Sequence, residues 1–363
     1  MPDEKTDTNL SNVLKLHLLG GGAIDNQSNA IPGQTMLYIR GIGGVTSNPL
    51  QKFMRFFGGN LKQQTRPMKK MLTEVYEKGD SLYIIGFSRG AAAARRFVSD
   101  LDKKGITLAS GEVVKPEVEF LGCFETVSQQ LCKYWYRMFA RIITNRIVNP
   151  IVLGEKDGKM SKIVKMAVHN LALDDNRNRF GLTKVVLPQP NPPVFMDSGD
   201  SRVHEAWFPG EHGDVGGTYW TKGLPDASFK HMQEFMEELG IKFIDNMDIK
   251  DESLKIKKFP KVDINKEYLN VAPDPSDRTH LNEWQQNRLP SYRPVITVTD
   301  GKPIEGGTVR IHKSVLDHMR DTEKKGIAYN FNPRLRDANI VVVGSLDKEL
   351  ETETEALKEL LEQ

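Results

Sequence analysis

Cysteine is scarce in this chain, with Cys123 and Cys132 the only two in 363 residues. Two thiols supply neither a disulfide framework nor a metal set, so Cys123, in an apolar run, reads as a buried thiol. Long hydrophobic runs are missing as well. No segment reaches the roughly 18 apolar residues of a bilayer span. The first apolar stretch, Val13 to Leu19, is interrupted by Lys15 and His17 and follows a polar, acidic opening, Met1 to Ser11, which is no signal peptide. These absences place synthesis in a reducing cytoplasm and leave open export without a classical signal. Charge of one sign is lacking too. A net +2, with 27% charged and 39% hydrophobic residues, gives no global field that calls for nucleic acid. There is no G-x-x-x-x-G-K-[ST], and neither Gly20-Gly21-Gly22 nor Gly41-x-Gly43-Gly44 makes a dinucleotide fingerprint. No H-E-x-x-H or compact Cys/His cluster appears, so neither a metal nor a cofactor is expected.

What is present is a strong strand–turn–helix signal. Asp80-Ser81-Leu82-Tyr83-Ile84-Ile85-Gly86-Phe87-Ser88-Arg89-Gly90 runs an apolar, partly β-branched strand into G-x-S-x-G, and Ala91 to Ala94 continue as a strong helix former. Glycines before and after Ser88 relieve crowding in a sharp turn, so the serine can stand above the sheet.

Around that turn the chain alternates. Leu14 to Leu19 reads as a first strand with Gly20 to Gly22 as its loop, and Thr35 to Ile39 as a second. Helices are expected at Leu50 to Phe57, Lys62 to Lys78, Ser88 to about Leu101, Ile163 to Leu173, and Phe229 to Leu239. Strands are expected at Ser81 to Ile85, at Val118 to Phe124 ending on Glu125, and at Val203 to Phe208. This pattern predicts an α/β fold, mainly a parallel sheet with helices on both faces and insertions, over a single domain from 12 to 345. The polar, proline-punctuated stretch 246–293 is a candidate insertion or lid, and 346–363 a charged C-terminal helix or tail. Tyr134 to Ile147 interleaves Trp135, Tyr136 and Phe139 with Arg137, Arg141 and Arg146. It is a candidate for transient contact with a membrane surface, against the alternative of a helix packed on the sheet.

A serine hydroxyl is a weak nucleophile at neutral pH and needs a base, which itself needs an orienting acid. Among eight histidines, His212 is best placed. It follows a predicted strand and lies downstream of Ser88, in the loop Gly210-Glu211-His212-Gly213-Asp214-Val215-Gly216-Gly217; the competing reading is a surface-loop histidine. His312, at a predicted strand end, is the reserve base, while His169 and His17 read as structural. Asp174 and Glu125 both sit where ligands collect in open α/β sheets, and Asp174 ranks slightly ahead. Asp214, two residues from His212, suits local loop closure. The oxyanion hole would use the Arg89 amide together with one from the Gly20, Gly21, Gly22 loop.

These segments resemble the DUF2235 family, the α/β-hydrolase group that includes type VI secretion Tle1-type phospholipase effectors. Its G-F-S-R-G-A is matched at Gly86 to Ala91, and its W-F-P-G-x-H-x-D-V-G-G from Trp207 to Gly217. A motif like H-A-L-A-x-D-E appears at His169 to Asp175, and parts of Y-x-x-G-[IV]-G at Tyr38, Gly41 and Gly43. The D-G-T-x-N that opens the family is replaced by Leu19-Gly20-Gly21-Gly22, and D-T-V by Glu125-Thr126-Val127, one methylene longer. The resemblance implies carboxylic ester hydrolysis through an acyl-enzyme on Ser88, with His212 and an acid from Asp174 or Glu125. It implies an acyl ester or phospholipid substrate and a secretion-apparatus or immunity partner. The altered first loop supports the alternative, a non-catalytic binding or assembly module on a degenerate hydrolase fold.

Overall fold

The structure is a computed structural model that describes residues 10–40, 61–127, 155, 159–175, 195–219, 221–256, 262–280, 292–300, 302–327, 329 and 331–362. Its centre is a six-stranded, wholly parallel sheet: β1 (Leu82–Phe87), β2 (Val118–Phe124), β3 (Val164–Ala172), β4 (Val203–Phe208), β5 (Val309–His312) and β6 (Ile340–Val343), side by side in chain order. Strand alternation sorts the core into two layers. Leu121, Ala167, Leu171, Trp207, Ile311 and Val342 point to one face. They meet α3 (Arg89–Lys104), α6 (Lys313–Lys324) and α7 (Glu351–Glu362) there. Phe120, Phe124, Val168, Ala172, Ala206 and Phe208 point to the other, against α1 (Asn12–Leu19) and α5 (Gly223–Glu238). Helix α2 (Leu61–Val75) packs on α3, and the short α4 (His212–Gly216) follows β4. The arrangement is an α/β-hydrolase-like fold.

Two elements change type. Leu14 to Leu19 is not a strand but most of α1, started by Ser11, whose hydroxyl accepts from the Leu14 amide. Its polar–apolar alternation does not separate water from core. Lys15 is buried in an ion pair with Asp226, and His17 is buried with Nε2 on the Ala23 carbonyl. All of Lys15 to Leu19 is inside, so period two has no meaning there. Conversely, Ile163 to Leu173 is not a helix but contains β3, a central strand covered on both faces. Such strands read as near-continuous apolar runs, which periodicity does not separate from buried helix.

Thr35 to Ile39 forms no regular strand, and with α1 helical the sheet begins at β1. Among the described residues β1 therefore has a sheet neighbour on one side only. The stretch 246–293, where described, consists of short 3-10 turns and a two-residue ribbon that press Ile249, Leu254, Ile264 and Leu269 into the α5 layer. The readings at Gly41 to Gly44, Leu50 to Phe57, Cys132 and Tyr134 to Ile147 lie outside the described residues.

Candidate functional site

Strand β1 enters α3 through Ser88, which holds φ 57° and ψ −121°, a strained conformation for a residue with a side chain. The turn is fixed on three sides. Ser88 N–H donates to the Phe124 carbonyl, and the Ser88 carbonyl accepts from Ala92 and Val127 amides. A Cβ at Gly86 would collide with the backbone of Gly90 and Ala91, so the strand can cross the helix start only with glycine there. Gly90 has open space around the same position. Arg89 is the first residue of α3, where helix geometry gives an amide no intrahelical carbonyl and the dipole is positive.

The second expected source of oxyanion donors does not fit. Gly20 and Gly21 close the C-terminus of α1, with their N–H groups donating to Leu16 O and Leu18 O. Those amides are committed to a helix end, because the segment before them is a helix rather than a strand.

His212 is the first residue of α4 and is buried. From the end of β4 the chain turns back across the C-terminal edge of the sheet, so the imidazole lies against the Phe87 ring, with centroids 4.6 Å apart. Gly216 makes this possible, since any Cβ there would strike Phe87. Ser88, next to Phe87, and His212 thus share one corner, with no hydrogen bond between them among the described residues. Asp214 anchors the start of α4 by accepting from Glu211 N at 2.9 Å.

The acids behave differently from their ranking in the sequence. Asp174 is engaged elsewhere: its carboxylate accepts from Gly210 N (2.7 Å), Tyr329 Oη (2.6 Å) and Asn332 N (3.0 Å). It fastens the loop leading to His212 to Tyr329 and Asn332. Burial pushes its pKa up to about 7, against the lowering effect of those three donors. Glu125 immediately follows β2 at φ 46°, fully buried, and its carboxylate accepts from Ala172 N and from Arg293 Nη1 at 2.8 Å. Donor atoms of Glu125, Asp175 and His212 all lie within 4.8 Å of one another. This geometry puts Glu125 and its neighbour Asp175 ahead of Asp174 as acids beside the imidazole.

Sequence reasoning missed Arg293. Its guanidinium bridges the two acids, with Nη1 on Glu125 and on the Ala172 carbonyl (2.8 Å) and Nη2 on Asp175 at 2.9 Å. The three buried side chains leave one formal negative charge beside His212. Their donor set has the size of a divalent-cation site, but the guanidinium already supplies a cation to both carboxylates. The only signal for it was indirect: acids gathered at one sheet edge need a counter-charge, and no periodicity points to residue 293. Beneath the site, His169 donates from Nδ1 to Glu205 (2.8 Å) and accepts the Thr126 amide at Nε2 (3.2 Å), steadying the turn that carries Glu125.

His312, the reserve base, is not beside Ser88. It ends β5, four strands from β1, or roughly 19 Å at sheet spacing. There it stacks on Phe208 and bonds Ser314 Oγ at 2.8 Å, capping α6. Burial and the nearby His231 push its pKa well below the usual histidine value. Cys123 is a buried free thiol whose pKa burial raises to about 12, which removes it as a nucleophile.

The fold and the strained serine turn define an α/β-hydrolase-like protein. The sequence profile of the type VI secretion phospholipase effector Tle1-like catalytic domain matches residues 2–115 and 109–235, and the chain belongs to this family. Among solved structures it is similar to an uncharacterised protein from Pseudomonas aeruginosa, at 20% identity and a TM-score of 0.31, over 57% of this chain and 30% of that one. It is also similar to a structure of the Tle1 effector bound to the VgrG spike of the type 6 secretion system, at 21% identity and a TM-score of 0.35, over 63% of this chain and 49% of that one. The chain therefore spans 30% and 49% of these two solved chains. None of the curated proteins matches it. Among the described residues, no helix is long and apolar enough to cross a membrane.

Proposed function

We propose that the chain is a serine-dependent carboxylic ester hydrolase of the phospholipase type. The observation that carries this reading is the strained Ser88 turn between β1 and α3, with His212 and the Arg293-bridged acids at the same sheet edge. Ser88 Oγ attacks the acyl carbonyl as its proton passes to His212. Glu125 or Asp175 orients the imidazolium, and the Arg89 amide meets the developing oxyanion at the positive end of α3. Collapse transfers the proton to the leaving alkoxide. Water, deprotonated by the same histidine, then releases the fatty acid. Formation of the Ser88–His212 hydrogen bond belongs to the substrate complex, since such bonds are often long in the free enzyme.

A second reading is a binding or assembly module on the same fold. It is favoured by the engagement of the Gly20 and Gly21 amides in the α1 terminus, which leaves no second oxyanion donor from that loop. The effector with the VgrG spike suggests a secretion-apparatus partner for this chain under either reading. Hydrolysis of a short-to-long p-nitrophenyl ester series and of mixed phospholipid vesicles, compared with Ser88→Ala, separates the two. Release that disappears in the variant supports the hydrolase. No release from folded wild type in either format leaves the module.

A further inference from the structure

A different hydroxyl in this chain is already bonded to an imidazole. Thr221 Oγ1 lies 2.9 Å from His280 Nε2, and His280 Nδ1 lies 2.6 Å from Asp214 Oδ1. The Asp214 carboxylate is further held by the His280 amide (3.1 Å) and the Glu211 amide (2.9 Å) through its other oxygen. Among the described residues, none of His17, His169, His204, His231, His312 or His318 links a hydroxyl to a carboxylate in this way. They face backbone carbonyls, acids without a hydroxyl, or a hydroxyl without an acid.

The chain of bonds has the polarity that base chemistry requires. A carboxylate only accepts, so Nδ1 carries the hydrogen toward Asp214, and Nε2 of the neutral ring is left as the acceptor facing Thr221. Burial falls in the same direction. The Asp214 side chain is fully buried, while His280, its side chain 12% exposed, and Thr221 are both half-buried, so the array is closed at its carboxylate end. Tyr219 stacks on the imidazole with centroids 4.0 Å apart and planes 14° from parallel, which fixes the ring plane. Thr221 immediately precedes the N-cap of α5, a 16-residue helix whose positive end favours a developing oxyanion, although Asp277 already takes the Gly223 amide. A nucleophile within hydrogen-bond reach of a base that is itself oriented by a third group is the signature of an activated hydroxyl.

We propose that Thr221, His280 and Asp214 form a second nucleophilic array, in which Thr221 Oγ1 accepts acyl or phosphonyl groups from small, activated esters. With a short-chain ester, Oγ1 adds to the carbonyl carbon and its proton passes to His280 Nε2. The acyl C–O bond then breaks, the departing alkoxide takes that proton, and acyl-Thr221 remains. Water attacks next, giving its proton to Nε2, and the Thr221 oxygen regains a proton as the acid leaves. The array does not depend on Ser88 chemistry.

An alkyl fluorophosphonate tests it directly. Oγ1 displaces fluoride at phosphorus, a P–O bond forms as P–F breaks, and the hydroxyl proton goes to Nε2. The full chain is treated as wild type, Ser88→Ala, Ser88→Ala/Thr221→Val and Ser88→Ala/His280→Gln, and adducts are assigned by peptide mass. The expected result is an adduct on the Thr221 peptide of Ser88→Ala, absent with valine. With His280→Gln it should form about a hundredfold more slowly, the scale of general-base assistance. Thr221→Ser, lacking the methyl group, should label faster. Valine is nearly isosteric and leaves the His280–Asp214 bond in place, so an unchanged melting temperature shows that its loss of label is chemical. No Thr221 adduct in folded wild type or Ser88→Ala overturns the proposal and makes the array a clamp between the His212 loop and the 262–280 segment. A rate unaffected by His280→Gln in a folded variant overturns it equally. An adduct on Ser88 reports on the esterase reading separately.

Discussion

At the residue scale, three positions show how local geometry sets what can change. Gly86 and Gly90 look equivalent in the motif, yet only Gly86 lies where a Cβ meets backbone. Gly86→Ala should destabilise the protein by about 2 kcal/mol or more, because neither strand nor helix start can give way. Gly90→Ala, in the first turn of α3, should be neutral or slightly stabilising through helix propensity. Urea unfolding of both variants measures the contrast, and equal losses would contradict the account. Asp174 carries a pH signature. Its folded pKa is raised from 3.8 to about 7, so the folded state holds a proton that the unfolded state releases. Its contribution is therefore complete below about pH 4 and is lost as pH rises toward 7. The stability advantage of wild type over Asp174→Asn should shrink across that window; an advantage that grows with pH would mean the carboxylate is ionised and stabilised by its three donors.

At the element scale, β1, α3, β2 and β4 were legible because each combines an apolar core with an unambiguous punctuation: glycine at Gly86, the alanine run, Pro209-Gly210 after β4. Helix α1 and strand β3 were not. In both, polar residues are buried: Lys15, His169 and Asn170 with partners far along the chain and His17 on the nearby Ala23 carbonyl, so the pattern along the sequence records pairing inside the fold rather than surface. The site was legible where motifs are contiguous, at Ser88 and at His212. Arg293 and His280, delivered from more than 60 residues away, left no local trace. Helix α1 is tied to α5 by the buried Lys15–Asp226 pair, whose other carboxylate oxygen accepts from Ala272 N at 2.9 Å. Lys15→Met strands that carboxylate without a cation and should cost about 3–5 kcal/mol, whereas pairing it with Asp226→Leu should recover much of the loss. Thermal unfolding of the single and double variants checks this. Equal destabilisation by both would remove the ion pair from the account.

At the scale of the whole molecule, the C-terminal edge of the sheet gathers everything the proposed chemistry needs. Ser88 comes from β1, Glu125 from β2, Asp175 from β3, His212 from beyond β4, and Arg293 from the segment that returns before β5. Arg293 also accepts a bond from Asn332 at its backbone carbonyl (2.9 Å), so the returning segment and the edge hold each other. Arg293→Met should leave Glu125 and Asp175 without their shared cation and cost about 3–5 kcal/mol. Denaturant titration of wild type and variant reads it, and a loss of less than about 0.5 kcal/mol would argue against the charge bridge. The central claim is a covalent step at Ser88. Its most direct test is rapid mixing of the full chain with excess p-nitrophenyl acyl ester, acid quench, and peptide mass analysis. The account predicts acylation of the Ser88 peptide within the first turnover, lost in Ser88→Ala and strongly slowed in His212→Ala. Nitrophenol release with Ser88 never acylated, or undiminished in Ser88→Ala, would contradict it.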